Sequence, residues 1–205
     1  MPIILVRHGE AENNVGELTG GWTDTPLTER GLRQASAIAE RLRGELAGQA
    51  CRIVSSDLRR AKQTAEVIGS VLGVEPIPEP GLRERNNGAA TGKTKAEARR
   101  LYIEPTHPLI DWAPYPDAET WRLLNRRVSA TMDRIYACEG ENLIVVGHSG
   151  SLHHVIFWWL RLPVEIVEYI NLGLDNASLT ILSVTGLDQR RLDRLNDTSH
   201  LKGLA

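Results

Sequence analysis

The most reactive side chains of the chain cluster in short segments that each follow an apolar run. Arg7-His8-Gly9-Glu10 comes directly after Ile3-Ile4-Leu5-Val6. Ser55 through Ala65 carries Ser56, Asp57, Arg59 and Arg60, and Val145-Val146-Gly147-His148-Ser149-Gly150 delivers a second histidine. Open α/β sheets place ligand sites at the carboxyl ends of their strands, so these segments are expected to converge on one sheet edge. Imidazole and guanidinium groups gathered there suit phosphate. Guanidinium forks bind its oxygens through paired donors, and helix N-termini add backbone N–H groups and partial positive charge. Uncatalysed phosphate monoester hydrolysis is so slow that enzymes supply up to ~10²¹-fold acceleration, most of which must come from charge stabilisation. Arg7 and Arg60 are the forks expected to face the anion. Arg59 points about 100° away from Arg60 on a helix, so only one of the two faces the pocket.

The elements that position these groups are legible in the apolar pattern. Ile3–Val6, Ile53-Val54, Leu143–Val146 and Leu179–Leu182 read as largely buried strands. Leu32, Ala35, Ala39, Leu42 and Leu46 share one helical face, as do Leu58, Ala61, Ala65, Ile68 and Leu72, and then Trp121, Leu124, Val128 and Ile135. These stripes are read as core. Asp57 or Ser56 is expected to cap the second helix. Strand and helix alternate, which predicts an α/β fold of three layers, a mostly parallel sheet flanked by helices. The 205 residues fit one domain, 1–205. Residues 86–120 form an excursion from the alternation. Within it, Pro105, Pro108, Pro114 and Pro116 with Tyr102, Trp112 and Tyr115 make 102–118 either a lid or a packed surface connection.

Taken in order, the segments resemble the histidine phosphatase superfamily, also called phosphoglycerate mutase-like, over nearly the whole chain. Arg7-His8-Gly9-Glu10 looks like the nucleophile motif, with Asn14 at the spacing of a further phosphate ligand. Gly21-Trp22-Thr23-Asp24 with Leu27 and Gly31 is similar to the family's Gly-Trp-x-Asp segment, Ser56–Ala65 to its second arginine motif, and Leu82-Arg83-Glu84-Arg85 with Gly88 and Gly92 to its acid loop. His148 matches the second histidine, and Asn176-Ala177-Ser178 resembles a segment before a late strand. The resemblance implies that His8 attacks phosphorus while Arg7, Asn14, Arg60 and His148 hold the non-bridging oxygens and Glu84 protonates the leaving alkoxide. Gly21 and Ser149 join the implied substrate contacts. A nucleophilic imidazole must be neutral, and nearby guanidinium charges oppose its protonation, so His8 is expected to be uncharged in the empty site.

The departures from the family divide hydrolysis from mutase activity. The loop from Glu84 to Lys95 is closer to the mutase branch, yet Asn86-Asn87 replaces that branch's His-Tyr pair. The middle of the chain is short for a mutase, and Pro116-Asp117-Ala118-Glu119-Thr120 looks more like the phosphatases' Gly-Glu-Ser segment. A mutase must also exclude water through two transfers. The expected activity is therefore hydrolysis of a small phosphorylated metabolite, with a 2,3-bisphosphoglycerate-dependent mutase as the alternative. Ser149 stands where the family usually has Gly.

Competing readings exist for each signal. Gly147-His148-Ser149-Gly150-Ser151 resembles the nucleophile elbow of a serine hydrolase, with Ser149, Asp175 or Asp188, and His200 in order, but position 151 is Ser and Arg7, His8 and Arg60 are left idle. A fold retained only for binding is a third reading. Glu79 and Glu97 compete with Glu84 as acids. Lys93, Lys95, Arg99 and Arg100 read as a solvated face or as contacts for an anionic tail. His107, His153, His154 and His200 read as structural or exposed, and no trio has metal-ligand spacing, so neither metal nor cofactor is expected.

Cys51 and Cys138 form no paired motif and are read as packing residues. The 24 basic and 26 acidic residues leave a net charge of −2, which gives no general attraction to nucleic acid or anionic membrane. The start, Met1-Pro2-Ile3-Ile4, carries no basic leader and no apolar run is long enough to span a bilayer, so the cytoplasm is the expected compartment. The partner expected is a small phosphorylated molecule, and self-association into a homodimer is left open.

Overall fold

In the computed structural model of the chain, residues 2–137 and 141–204 are described, and Cys138 lies outside them. Successive side chains of a strand point to opposite faces, so an unbroken apolar run must be covered on both. β1 (Ile3–Arg7) is accordingly central, paired in parallel with β4 (Asn142–Gly147) and antiparallel with β5 (Leu179–Val184). With β2 (Cys51–Ser55), β3 (Ile77–Pro78) and β6 (Arg190–Asp197), the six-stranded order is β3-β2-β4-β1-β5-β6. The helices are α1 (Glu12–Val15), α2 (Glu29–Leu46), α3 (Arg59–Leu72), α4 (Lys95–Arg99), α5 (Trp121–Tyr136) and α6 (Ser149–Leu160).

Two cores follow from the alternation. Ile3, Leu5, Leu143 and Val145 pack against Leu124, Val128 and Met132 of α5 and Leu152, Val155 and Trp159 of α6. Ile4, Val6, Ile144 and Val146 pack on the other face against Ile38, Ala39 and Leu42 of α2 and Ala61, Ala65 and Ile68 of α3. The three-layer, mostly parallel architecture is the one expected. Its antiparallel edge was not: β5 runs against β1 and β6 against β5. This reversal matters, because the residues preceding β5 then arrive at the same sheet edge as the residues following β1.

Two local expectations are corrected. Leu32 is 42% exposed rather than core. At its first turn α2 faces the loop after β1 instead of the sheet, burying Gly31 and Gln34, and Gln34 Oε1 accepts the Glu10 N–H at 2.8 Å. The helix after β2 is capped by neither Ser56 nor Asp57. Leu58 occupies the cap position without a side-chain bond, and Arg59 N–H donates to Asp24 Oδ1 at 2.6 Å, from a loop remote in sequence. Asp57 instead forms a bidentate pair with Arg83, at 2.6 Å for each bond.

Cys51 is half-buried. The proline-rich stretch buries Ile110 and is tied to the acid loop, since Arg85 donates to the Trp112 carbonyl at 2.7 Å and stacks against the rings of Trp112 and Trp121. Among the described residues no helix is long and apolar enough to cross a membrane.

Candidate active site

β2, β4 and β1 are neighbours in the sheet, so their carboxyl ends set Ser56, His148 and His8 side by side. Backbone bonds continue the ladder past the strands: His8 N–H donates to Gly147 O at 3.0 Å and Ser56 N–H to Val146 O at 2.9 Å. The rings of His8 and His148 meet edge to face with centroids 5.0 Å apart. His8 is 3% exposed, Arg60 1% and His148 0%. Of the adjacent arginines, Arg60 faces the histidines and Arg59 faces solvent, as helical geometry requires.

The hydrogen bonds of His8 define which nitrogen carries the lone pair. Nδ1–H donates to the Gly9 carbonyl at 2.7 Å, while Arg60 Nε–H donates to Nε2 at 3.2 Å. The lone pair is thus on Nε2, directed at a guanidinium. Burial pushes the imidazole pKa well below the usual histidine value, and the charges of Arg60 and then Arg7 push it the same way against the Gly9 bond. His8 should therefore be a neutral Nδ1–H tautomer throughout pH 6–7.5. Histidine ¹⁵N shifts of the ligand-free protein test this, and an imidazolium pattern at pH 6 would contradict it. His148, hydrogen-bonded through Nε2 to Ser56 Oγ at 2.9 Å, is shifted the same way by burial and by Arg60.

Arg60 is held by the main chain: Nη1–H donates to Thr23 O at 2.8 Å and Nη2–H to Gly21 O at 2.7 Å. A guanidinium has five N–H donors, so one on each terminal nitrogen remains for an oxyanion. Gly21 can present its carbonyl this way because it adopts φ +61°, where a Cβ would also fall 2.5 Å from Asn87. The Gly-Trp-x-Asp segment now has a physical content. Gly21 and Thr23 grip Arg60, and Asp24 caps the helix that carries it. Arg7 bonds the Leu174 carbonyl; burial lowers its pKa, opposed by Glu84 and Asp175.

Of the three rival acids, only Glu84 reaches this group. Its Oε1 accepts Arg85 N–H at 2.8 Å and its Oε2 accepts Gly150 N–H at 3.1 Å, two residues beyond His148. Glu79 is paired with Arg134, and Glu97 closes a capping box with Thr94 at the start of α4. Asn14 stands at the rim, where its Oδ1 accepts from Ala11 N–H at 2.9 Å and from Asn176 Nδ2 at 3.3 Å. Asn176 Nδ2 also donates to the His8 carbonyl at 3.1 Å, a contact created by the antiparallel β5. Ser149 is the half-buried first residue of α6.

A serine-hydrolase triad does not assemble around Ser149. His200 Nε2 bonds the Ala177 carbonyl at 2.9 Å and its Nδ1 has no partner among the described residues, while Asp175 is paired with Asn196 and Asp188 is exposed. His153 and His154 are buried in α6, where burial lowers them to about 4 and about 3. His107 is exposed, as are Lys95, Arg99 and Arg100, and Lys95 bonds the Gly16 carbonyl. Sequence reasoning missed Arg127, which bonds Glu119 and the main-chain carbonyls of Gly81, Arg83 and Glu84. The one available signal was an arginine beside the buried Leu124–Val128 stripe of α5.

An imidazole whose lone pair faces an arginine fork, with a carboxylate at the adjoining helix start, is an arrangement chemically suited to handling phosphate. Residues 3–198 match the histidine phosphatase superfamily (branch 1), and the chain belongs to that family. Among its relatives, the probable phosphoglycerate mutase GpmB of Yersinia pestis (strain Pestoides F) is 31% identical over 188 residues, 88% of this chain and 83% of that protein. A mycobacterial glucosyl-3-phosphoglycerate phosphatase, solved with VO3, superposes with a TM-score of 0.80 at 31% identity, covering 96% of this chain and 99% of the other. Bacillus stearothermophilus YhfR gives a TM-score of 0.80 at 27% identity over 98% of each chain.

Proposed function

We propose that the protein is a phosphomonoester hydrolase that passes the phosphoryl group of a small metabolite through His8. The observation that carries this reading is the lone pair of His8 Nε2, fixed by the Gly9 carbonyl on Nδ1 and facing Arg60 at 3.2 Å. In the first step Nε2 attacks phosphorus, the N–P bond forms, the P–O bond to the alcohol breaks, and Glu84 gives its proton to the departing oxygen. In the second, water attacks phosphorus, Glu84 takes the proton, and the N–P bond breaks to release phosphate. Arg7, Arg60, His148 and Asn14 hold the non-bridging oxygens, whose charge spreads in the transition state. Every group in the sequence of steps belongs to the chain, so turnover should persist in EDTA.

The mutase reading has one observation in its favour, the relative named a probable phosphoglycerate mutase. Against it, Asn86 and Asn87 serve the turn: Asn86 Oδ1 accepts Gly88 N–H at 2.8 Å and Asn87 packs on Gly21. A panel of phosphorylated metabolites containing both phosphoglycerates and glucosyl-3-phosphoglycerate separates the two. Phosphate release from the preferred substrate is expected, and isomerisation without phosphate release would overturn the proposal.

Glu84 depends on a glycine. A Cβ at Gly150 would fall 2.2 Å from Glu84 Oε1, so the carboxylate must move to admit it. The helix preference for alanine over glycine, at most about 1 kcal/mol, and the loss of a Glu84 hydrogen bond, of similar size, offset each other, so Gly150→Ala should change the melting temperature little. Alkyl phosphate turnover should nevertheless fall about tenfold or more, since displacements near 1 Å carry penalties of that order. Unchanged kinetics would show that the placement of Glu84 is immaterial.

A further inference from the structure

The main-chain carbonyl of Glu84 accepts two hydrogen bonds, from Trp22 Nε1 at 2.7 Å and from Arg127 Nη2 at 3.1 Å. Both of its lone pairs are thereby occupied, by donors from two other parts of the chain. Trp22 lies between Gly21 and Thr23, whose carbonyls grip Arg60. One three-residue stretch therefore touches the phosphate-facing arginine with its backbone and the acid's backbone with its indole. Arg127 extends the hold: its Nη1 donates to the carbonyls of Gly81 and Arg83 at 3.0 Å each, and its fork closes on Glu119 at 2.9 and 2.7 Å. Arg83 stacks on the Trp22 ring at 4.8 Å and is itself fixed by Asp57.

A general acid must lie within hydrogen-bond reach of the oxygen it protonates, and the chain around it must be supported to hold that distance. We infer that Trp22 and Arg127 are positioning residues that fix the Glu84 carboxyl relative to the phosphoryl group held by Arg60, and so govern proton delivery to the leaving group rather than phosphate binding. This rests on the acid role proposed for Glu84. Both residues act through the acid, so their effects should depend on how much proton help a leaving group needs.

Trp22→Phe keeps most of the ring and removes its N–H, and Arg127→Lys keeps the charge without the fork. Each is compared with wild type on glycerol phosphate and on p-nitrophenyl phosphate, and again in a Glu84→Gln background. Trp22→Phe should lower kcat/KM, which reports the first phosphoryl transfer and not the hydrolysis step shared by both esters, by about 10- to 100-fold on glycerol phosphate and by less than about threefold on the nitrophenyl ester, and leave the inhibition constant of inorganic phosphate within about threefold. In the Glu84→Gln background it should add less than about twofold, because residues acting through one group are not additive. Arg127→Lys should show the same selectivity, and Trp22→Phe alone decides the matter if the lysine variant does not fold. Equal losses in kcat/KM on both esters, a matching rise in the phosphate inhibition constant, or an undiminished Trp22→Phe effect without the acid would each overturn the inference. If Glu84→Gln fails to discriminate the esters, the acid role falls and the inference with it; if it discriminates and Trp22→Phe does not, only the inference falls.

Discussion

Replacing His8 with alanine should abolish turnover while the protein still folds. In the proposed route the imidazole supplies the bond-forming lone pair, on the nitrogen that accepts the Arg60 Nε–H. Removal of a nucleophile that works as part of a catalytic unit lowers kcat by roughly 10⁴-fold or more. The structural penalty is smaller. Loss of the ring leaves the Arg60 Nε–H without its partner, while the Gly9 carbonyl keeps the Asn176 Nδ2 donor at 3.3 Å, and an unmet buried polar group costs about 1–3 kcal/mol. The sheet and both cores lie away from the ring and should hold. Steady-state kinetics with circular dichroism on the same sample measures both halves. Appreciable residual phosphatase activity in a folded variant would count against the covalent route.

Glu84→Gln should divide substrates by their leaving groups. Glutamine has the same shape, but one carboxylate oxygen becomes an amide nitrogen facing a backbone N–H, so one of the two bonds from Arg85 and Gly150 is lost. That loss should cost about 1 kcal/mol of stability. The catalytic loss is larger and selective. General acid catalysis contributes about 10²–10⁴-fold, and an alkoxide needs it in full while nitrophenolate leaves with little help. The kcat/KM of alkyl phosphates, which reports the first transfer, should therefore fall by about that factor and that of nitrophenyl phosphate far less. Equal damage to the kcat/KM of both esters would remove Glu84 from the acid role.

Much of this site is legible in the chain because its parts follow buried strands. The runs Ile3–Val6 and Leu143–Val146 announce β1 and β4 by being apolar throughout, and the histidines come immediately after them. Helical spacing separates Arg60 from Arg59 without any structure. What the sequence hides are long-range relations. β6, the edge strand Arg-Arg-Leu-Asp-Arg-Leu-Asn-Asp, lacks strict apolar–polar alternation, and β3 is two residues long and includes Pro78, so neither carries a strong periodic signal. The direction of β5, and with it the approach of Asn176 to His8, follows from packing that a local apolar run does not encode. The cap on α3 comes from Asp24 because the cap is supplied across a loop, where rules based on neighbouring residues do not look. Without the resemblance, the residues alone do not separate Glu84 from Glu79 and Glu97, for the same reason. Three carboxylates of one kind are told apart only when Arg134 claims the first and Thr94 the third.

The account stands on a phosphoryl group residing on His8 during turnover. The most direct measurement is rapid denaturing quench of the working enzyme, followed by mass spectrometry of its peptides under alkaline conditions that preserve phosphohistidine. A phosphoryl group on the peptide containing His8, appearing and decaying at least as fast as turnover, is the predicted result. A phosphoryl group on Ser149 or any other residue, or turnover with no adduct on His8 at any quench time, would contradict it.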